Sequence, residues 1–135
     1  MIVGIGVDLF SVPRVEDDLD KGEQGLRDTI FTPEEIAYCQ SKRYPAQHFA
    51  ARFAAKEAVF KALGASGLSG SHWRDVEVRV ERSGRSYVLL HGKVKEAADQ
   101  LHVATVHLSL SHTRDWAVAS VVMESADGHA DDRPH

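Results

Sequence analysis

The stretch RFAAKEAVFKA, residues 52–62, decides how this chain folds and where its chemistry lies. It is dense in good helix formers, and it carries Arg52, Lys56, Glu57 and Lys61 among apolar residues. Glu57 and Lys61 lie one helical turn apart, so their side chains project from the same face. The interpretation that requires no chemistry is a salt bridge between them on the helix surface.

A second segment, GIGVD at residues 4–8, is a short apolar strand that ends in Asp8. An acid at the end of a strand and Glu57 on a helix can meet across a fold. Carboxylate oxygens with open positions for water and phosphate suit Mg²⁺, and the basic residues around Glu57 suit a phosphorylated ligand. Taken by itself, Asp8 is more typical of a turn residue, so a metal site needs further support.

The third segment, VHLSLSHT at residues 106–113, is an apolar strand that ends near His112. Together the three segments resemble the small holo-acyl-carrier-protein synthases, a family of phosphopantetheinyl transferases. That family carries a G-I/V-D signature near its start, an R-[FW]-x-x-K-E-x-x-x-K-A helix in the middle and an S-[LIV]-[ST]-H strand near its end. The resemblance runs from Met1 to about Val122, and the middle motif is the most specific part.

The resemblance implies an enzyme that moves the 4'-phosphopantetheine arm of coenzyme A to a serine of an apo acyl carrier protein. The carrier is either a free protein or a domain of a large fatty acid synthase. The expected products are the holo carrier and adenosine 3',5'-bisphosphate, and the expected cofactor is Mg²⁺. The resemblance also implies a homotrimer with active sites between neighbouring subunits.

Roles for single residues follow from the same resemblance. Asp8 and Glu57 match the metal ligands, Glu57 and Lys61 are the expected catalytic residues, and Arg14 is the expected contact to the carrier. Residues expected to bind coenzyme A are Arg52, Lys61, Gly84, Ser111, His112 and Thr113. Of these, His112 suits the 3'-phosphate.

Plainer interpretations remain open for several of these positions. Arg52 does not share the face that carries Glu57, so it is alternatively structural. His112 is alternatively a neutral turn histidine, and the role of Lys56 cannot be read from its spacing. His107 is interpreted as structural. Ser111 is not expected to be a nucleophile, because no Asp-His-Ser arrangement is visible and the reaction needs no covalent enzyme intermediate.

Two departures from the family pattern affect binding surfaces. The chain has Gly84-Arg85-Ser86 where relatives have a proline in the third position, which softens that hairpin. Acidic residues surround Arg14 in the first helix: Glu16, Asp17, Asp18 and Asp20. Either docking depends on Arg14, Lys21 and Arg27, or the carrier is less acidic than usual.

Composition bounds the remaining possibilities. The chain has 135 residues, a hydrophobic content of 43% and a net charge of −4, which is typical of one globular domain and does not indicate a nucleic-acid partner. It has no membrane-length apolar run and no signal-peptide start. Lone Cys39 excludes an intrachain disulfide, so we expect a cytoplasmic protein. We expect the transferase domain to span residues 1–123 and an acidic, disordered tail to span 124–135.

Hydrophobic periodicity predicts an α+β fold, with several helices packed on an antiparallel-rich sheet. Strands are predicted at 1–8, 76–80, 87–90, 105–110 and 116–123. Helices are predicted from Ser11 to about Asp20, from a capping box at Thr32 and Glu35 to about Ser41, from Ala46 to Leu63, and over 92–101. A Gly/Ser-rich loop is predicted at 64–71.

Two further function classes compete with the transferase. A catalytically silent carrier-binding subunit would have lost an acid or Lys61, and this chain retains all of them. A metal-dependent phosphohydrolase that binds coenzyme A would need a positioned water nucleophile. No feature of the sequence indicates one.

Overall fold

A computed structural model describes residues 1–21, 26–64 and 72–126 of the chain. Its strands are β1 (Ile2–Ser11), β2 (Val76–Val80), β3 (Ser86–Leu90), β4 (Val103–His112) and β5 (Trp116–Ser125). Its helices are α1 (Val12–Lys21), α2 (Leu26–Ile30), α3 (Pro33–Gln40), α4 (Pro45–Leu63) and α5 (Gly92–Gln100). A 3₁₀ turn at Trp73–Asp75 precedes β2.

The strands form two antiparallel sheets. β5 lies between β1 and β4 in a three-stranded sheet, and β2 and β3 form a separate hairpin. Helix α4 packs against β1 and β5. The predicted α+β fold, with helices on antiparallel sheets, is confirmed.

Helix α4 is buried along most of its length because alanines let it lie close to the sheet. Ala54, Ala55 and Ala58 are fully buried and pack with Val121 and Met123 of β5. Strand alternation places one face of the sheet against this helix and leaves the other face outward. The core therefore lies between α4 and the inner face of the β1-β5-β4 sheet.

Local signals in the sequence predicted the helix starts. The Thr32 hydroxyl accepts a hydrogen bond from the Glu35 amide at 3.2 Å, and the Glu35 carboxylate accepts one from the Thr32 amide at 2.8 Å. The capping box is thus confirmed. At α1, Ser11 Oγ accepts from the Arg14 amide at 3.3 Å, as its predicted N-cap role requires.

Other boundaries differ from the prediction. Helix α2 and the 3₁₀ turn were not expected, because neither is long enough to show a period. Strands β1 and β4 extend to Ser11 and His112 because both continue to pair with β5.

The predicted boundary between the domain and its tail, at residue 123, stays a prediction. β5 runs to Ser125, whose amide donates to the Met1 carbonyl at 2.8 Å. The rest of the predicted tail, residues 127–135, lies outside the described residues, and so do residues 65–71 of the predicted loop. Among the described residues, no helix has both the length and the apolar character needed to cross a membrane.

Candidate active site

Two glycines of β1 bring the strand against the backbone of α4. A Cβ added at Gly4 would overlap the carbonyl oxygen of Ala62, and one added at Gly6 would overlap that of Ala58. Only glycine permits this approach, since any side chain would push the helix away. Asp8 follows at the next position on the same face of the strand, so it also faces α4.

Asp8 lies next to Lys61, the last basic residue of α4. The Lys61 ammonium is 3.3 Å from Asp8 Oδ1 and donates to the Val7 carbonyl at 3.4 Å. The Asp8 side chain is 16% exposed, whereas that of Lys61 is 57% exposed. The carboxylate is therefore held in place, while most of the lysine side chain remains in solvent.

Glu57 lies one turn before Lys61 and is oriented by an indole. Trp73 Nε1 donates to Glu57 Oε2 at 2.9 Å, and the Trp73 ring packs edge-on against Phe53 with centroids 5.9 Å apart. Asp8 thus contacts Lys61 directly, and Glu57 lies one helical turn before Lys61 on the same helix. Trp73 was not predicted from the sequence, because nothing in its spacing links it to Glu57.

The donor set suits a hard divalent cation that keeps several waters. In the described part of the chain, no group of three or more His, Cys, Asp and Glu side chains could hold a metal. A cation between Asp8 and Glu57 would thus have two carboxylates and would take its other ligands from water or phosphate. Mg²⁺ is commonly bound in this way, so the residues present fit it.

His112 is the last residue of β4 and faces the start of α4. Its Nδ1 lies 2.9 Å from Gln47 Oε1, and its ring contacts that of His48 edge-on at 4.9 Å. Gln47 and His48 were not singled out from the sequence. Gln47 and Glu57 are ten residues apart, so His112 is about 15 Å from the acidic end of the helix along its axis.

The neighbours of His112 occupy different environments. Ser111 pairs with Val118 on the outward face of the sheet, opposite to the face that carries His112. Thr113 caps the turn after β4, since its hydroxyl accepts from the amides of Asp115 at 3.3 Å and Trp116 at 3.2 Å. Outward-facing His107 is paired with Glu124 at 2.9 Å, which agrees with a structural role.

Arg52 and Lys56, the other cations of the helix motif, are buried. Arg52 is 3% exposed, and its guanidinium lies 4.3 Å above the Tyr38 ring. The fully buried Lys56 ammonium is 2.9 Å from Glu35, whose second oxygen accepts from the Val78 amide at 2.8 Å. Lys56 thus joins α3, α4 and β2, and burial lowers its pKa despite Glu35. Its role is structural, and the burial of Arg52 favours the structural alternative there.

Gly84 forms the tip of the β2–β3 hairpin. Its φ of 92° lies in the left-handed region, and its amide donates to the Glu81 carbonyl at 2.9 Å. A Cβ at this position would meet no described atom within 4 Å. The described contacts do not bring Gly84 to Asp8, Glu57 or His112.

Arg14 is exposed on α1 and lines a cavity of about 420 Å³ together with Phe10, Phe53 and Trp116. Two of the nearby acids have partners in this chain. Asp17 pairs with Lys21 at 3.1 Å and Asp20 with Arg27 at 3.6 Å, whereas Asp18 lines the same cavity as Arg14.

Comparisons with known proteins show which family this chain is similar to. The sequence profile of the 4'-phosphopantetheinyl transferase superfamily matches residues 4–121. The holo-[acyl-carrier-protein] synthase of Koribacter versatilis is 45% identical over 124 residues, which cover 92% of this chain and 99% of that protein.

Two solved structures have the same fold. That of holo-[acyl-carrier-protein] synthase from Neisseria meningitidis gives a TM-score of 0.82 at 32% identity, over 93% of this chain and 100% of that one. The Bacillus anthracis synthase in complex with CoA (3',5'-ADP) gives 0.74 at 34% identity, over 93% and 99%. The resemblance seen in the three sequence segments is confirmed.

Proposed function

The chain belongs to the 4'-phosphopantetheinyl transferase superfamily, and on that premise we propose that it is a holo-acyl-carrier-protein synthase. It transfers the 4'-phosphopantetheine arm of coenzyme A to a serine of an apo acyl carrier protein or of a carrier domain. Its second product is adenosine 3',5'-bisphosphate. The retention of both acids and Lys61 disfavours a silent carrier-binding subunit.

The observation that carries this proposal is the contact of Asp8 with Lys61 where β1 crosses α4, one helical turn from Glu57. Transfer of a phosphoryl-linked arm requires neutralisation of the pyrophosphate charge and stabilisation of the leaving group. Asp8 and Glu57 would hold Mg²⁺, which when bound would supply a positive charge to the pyrophosphate oxygens.

Lys61 supplies the second positive charge. In the structure it is paired with Asp8, yet its long and largely exposed side chain allows it to turn towards a phosphate oxygen. Glu57 is held by Trp73, and in this proposal its carboxylate accepts the proton of the carrier serine. We therefore assign Lys61 to leaving-group stabilisation and Glu57 to ligation and proton transfer.

The coenzyme A nucleotide is assigned to the other end of α4. His112 faces the first turn of this helix, where the helix dipole also favours an anion. Thr113, Ser111 and the hairpin at Gly84 are proposed to contribute further contacts. Arg52 is assigned a structural role, because it is buried with its guanidinium against the Tyr38 ring.

The site is proposed to lie between subunits of a homotrimer. The outward face of β1 exposes Ile5, Val7 and Leu9 at 64%, 56% and 55%, a row of large apolar side chains that suits burial against another chain. The distance between His112 and Glu57 within one chain also suits a site completed by a neighbour. We place the protein in the cytoplasm, where apo carrier and coenzyme A meet.

Carrier docking is assigned to the α1 surface around Arg14. An acidic carrier helix would meet Arg14 favourably, while Lys21 and Arg27 already neutralise Asp17 and Asp20. Glu16 and Asp18 remain as the acidic groups of α1 that disfavour a strongly acidic carrier. Rim charges of this kind act mainly on association rate.

Mass spectrometry of an apo acyl carrier protein after incubation with this protein, coenzyme A and Mg²⁺ tests the proposal. We expect a gain in carrier mass that matches phosphopantetheine, and no gain on a carrier whose acceptor serine is replaced by alanine. Hydrolysis of coenzyme A without carrier modification would favour a phosphohydrolase. Binding of the carrier without any reaction would favour a silent subunit.

A further inference from the structure

The contact between Gln47 and His112 connects two elements that are distant in the chain. Gln47 lies in the first turn of α4, and its Oε1 is 2.9 Å from Nδ1 of His112, 65 residues later. Within the part of the chain that the structure describes, Gln47 is the one hydrogen-bond partner of this ring. An amide oxygen only accepts hydrogen bonds, so a contact through Oε1 requires the proton of the imidazole to be on Nδ1.

We propose that Gln47 is a positioning residue, which holds the His112 imidazole with a proton on Nδ1 and leaves Nε2 to bind a phosphate oxygen of coenzyme A. This inference rests on the proposed function, in which His112 binds the nucleotide. In the neutral ring, Nε2 then carries the lone pair. The ring gains its second proton at Nε2, so the protonated form donates to the phosphate there.

His48, the ring neighbour of His112, has a lowered pKa. Burial, followed by the positive charges of His112, Arg52 and Lys42, lowers the pKa of His48 to about 4. His48 is therefore neutral at pH 7 and packs edge-on against His112 without competing for the proton. The turn after β4 adds one charge of each sign, Arg114 and Asp115.

The variant Gln47→Met tests the inference because methionine keeps the length and helix propensity of glutamine but cannot accept a strong hydrogen bond. Removal of one hydrogen bond is expected to raise KM for coenzyme A about fivefold. We expect a much smaller change in KM for 3'-dephospho-coenzyme A, which lacks the phosphate. Gln100→Met, at an exposed position of α5, is the matched control and should alter neither value.

A second measurement does not depend on activity. Long-range ¹H–¹⁵N correlation spectra of the free protein should show His112 with its proton on Nδ1 in the wild type, and a mixture of tautomers in Gln47→Met.

A wild-type ring with its proton on Nε2 would overturn the inference, as would equal changes in KM for both substrates. If the wild type transferred neither substrate, the proposed function would fail, while the tautomer measurement would still decide the role of Gln47.

Discussion

Lys56 and Glu57 are neighbours in the sequence but have different tasks, because successive residues of a helix point about 100° apart. Lys56 points into the interior and ties Glu35 to α4, whereas Glu57 points towards Trp73 at the edge of the site. A single motif therefore contains one residue that stabilises the fold and one proposed for chemistry. Substitution of Lys56 is expected to lower stability, and substitution of Glu57 is expected to lower activity.

The proposed metal ligands should act as a pair. Asp8→Asn and Glu57→Gln are each expected to reduce Mg²⁺-dependent transfer by a hundredfold or more, because both carboxylates would bear on one ion. The double variant should be little worse than either single variant, since the second loss removes a ligand from a site already disabled. Steady-state transfer rates at saturating Mg²⁺ measure the activity of each variant. Circular dichroism checks that each variant folds. Near-normal turnover of either single variant would exclude the shared ion.

Glu77 should make the protein sensitive to acid. Burial acts to raise the pKa of this carboxyl, but hydrogen bonds from His91 at 2.9 Å and Arg79 at 3.1 Å outweigh it and lower the pKa below the usual 4.5. The ionised group therefore stabilises the folded state above about pH 4.5, and this contribution is lost as the pH falls through the lower folded-state pKa.

Urea unfolding between pH 7 and pH 3 measures this effect. The stability difference between wild type and Glu77→Gln should shrink as the pH falls, whereas exposed Glu96→Gln should differ little from wild type throughout. A difference that is constant with pH would show that Glu77 contributes through packing alone.

At the scale of elements, the close contact of β1 with α4 controls the site. Gly6→Ala would place a methyl group on the Ala58 carbonyl, and such overpacking typically costs about 1–3 kcal/mol. We expect a loss of unfolding free energy in this range and a larger loss of activity, because Asp8 would move relative to α4 and its Lys61. Ser120→Ala, on the exposed outer face of β5, is the control. An unchanged midpoint for Gly6→Ala would contradict the tight packing seen here.

Elements whose signals are local could be predicted from the sequence. The Thr32–Glu35 capping box, the α4 helix and the alternation of β2 each depend on residues a few positions apart. Trp73 and Gln47 could not be predicted, because their partners lie 16 and 65 residues away and only tertiary packing joins them. The burial of Arg52 could not be predicted for the same reason, since its contact Tyr38 belongs to another helix.

At the scale of the whole molecule, the separation of His112 from Glu57 bears on assembly. If each working site combines the acids of one subunit with His112 of the next, neither Asp8→Ala nor His112→Ala should be active alone. An equal mixture, after subunit exchange, should regain activity at about a quarter of its sites. Transfer assays on the mixture measure this recovery. A monomeric mass by light scattering, or no recovery after verified exchange, would contradict the proposed assembly.

The hydrogen bond between Ser125 and Met1 has a consequence for how the chain can be rearranged. The Ser125 amide and hydroxyl both donate to the Met1 carbonyl. The start of β1 and the end of β5 therefore lie side by side. A short glycine-rich linker from Ser125 to Met1 should therefore permit circular permutation, with new termini opened at exposed Ser83 in the hairpin. Such a permutant should keep the thermal stability of the parent to within a few degrees. Failure to fold would show that β1 must precede the other elements in the chain.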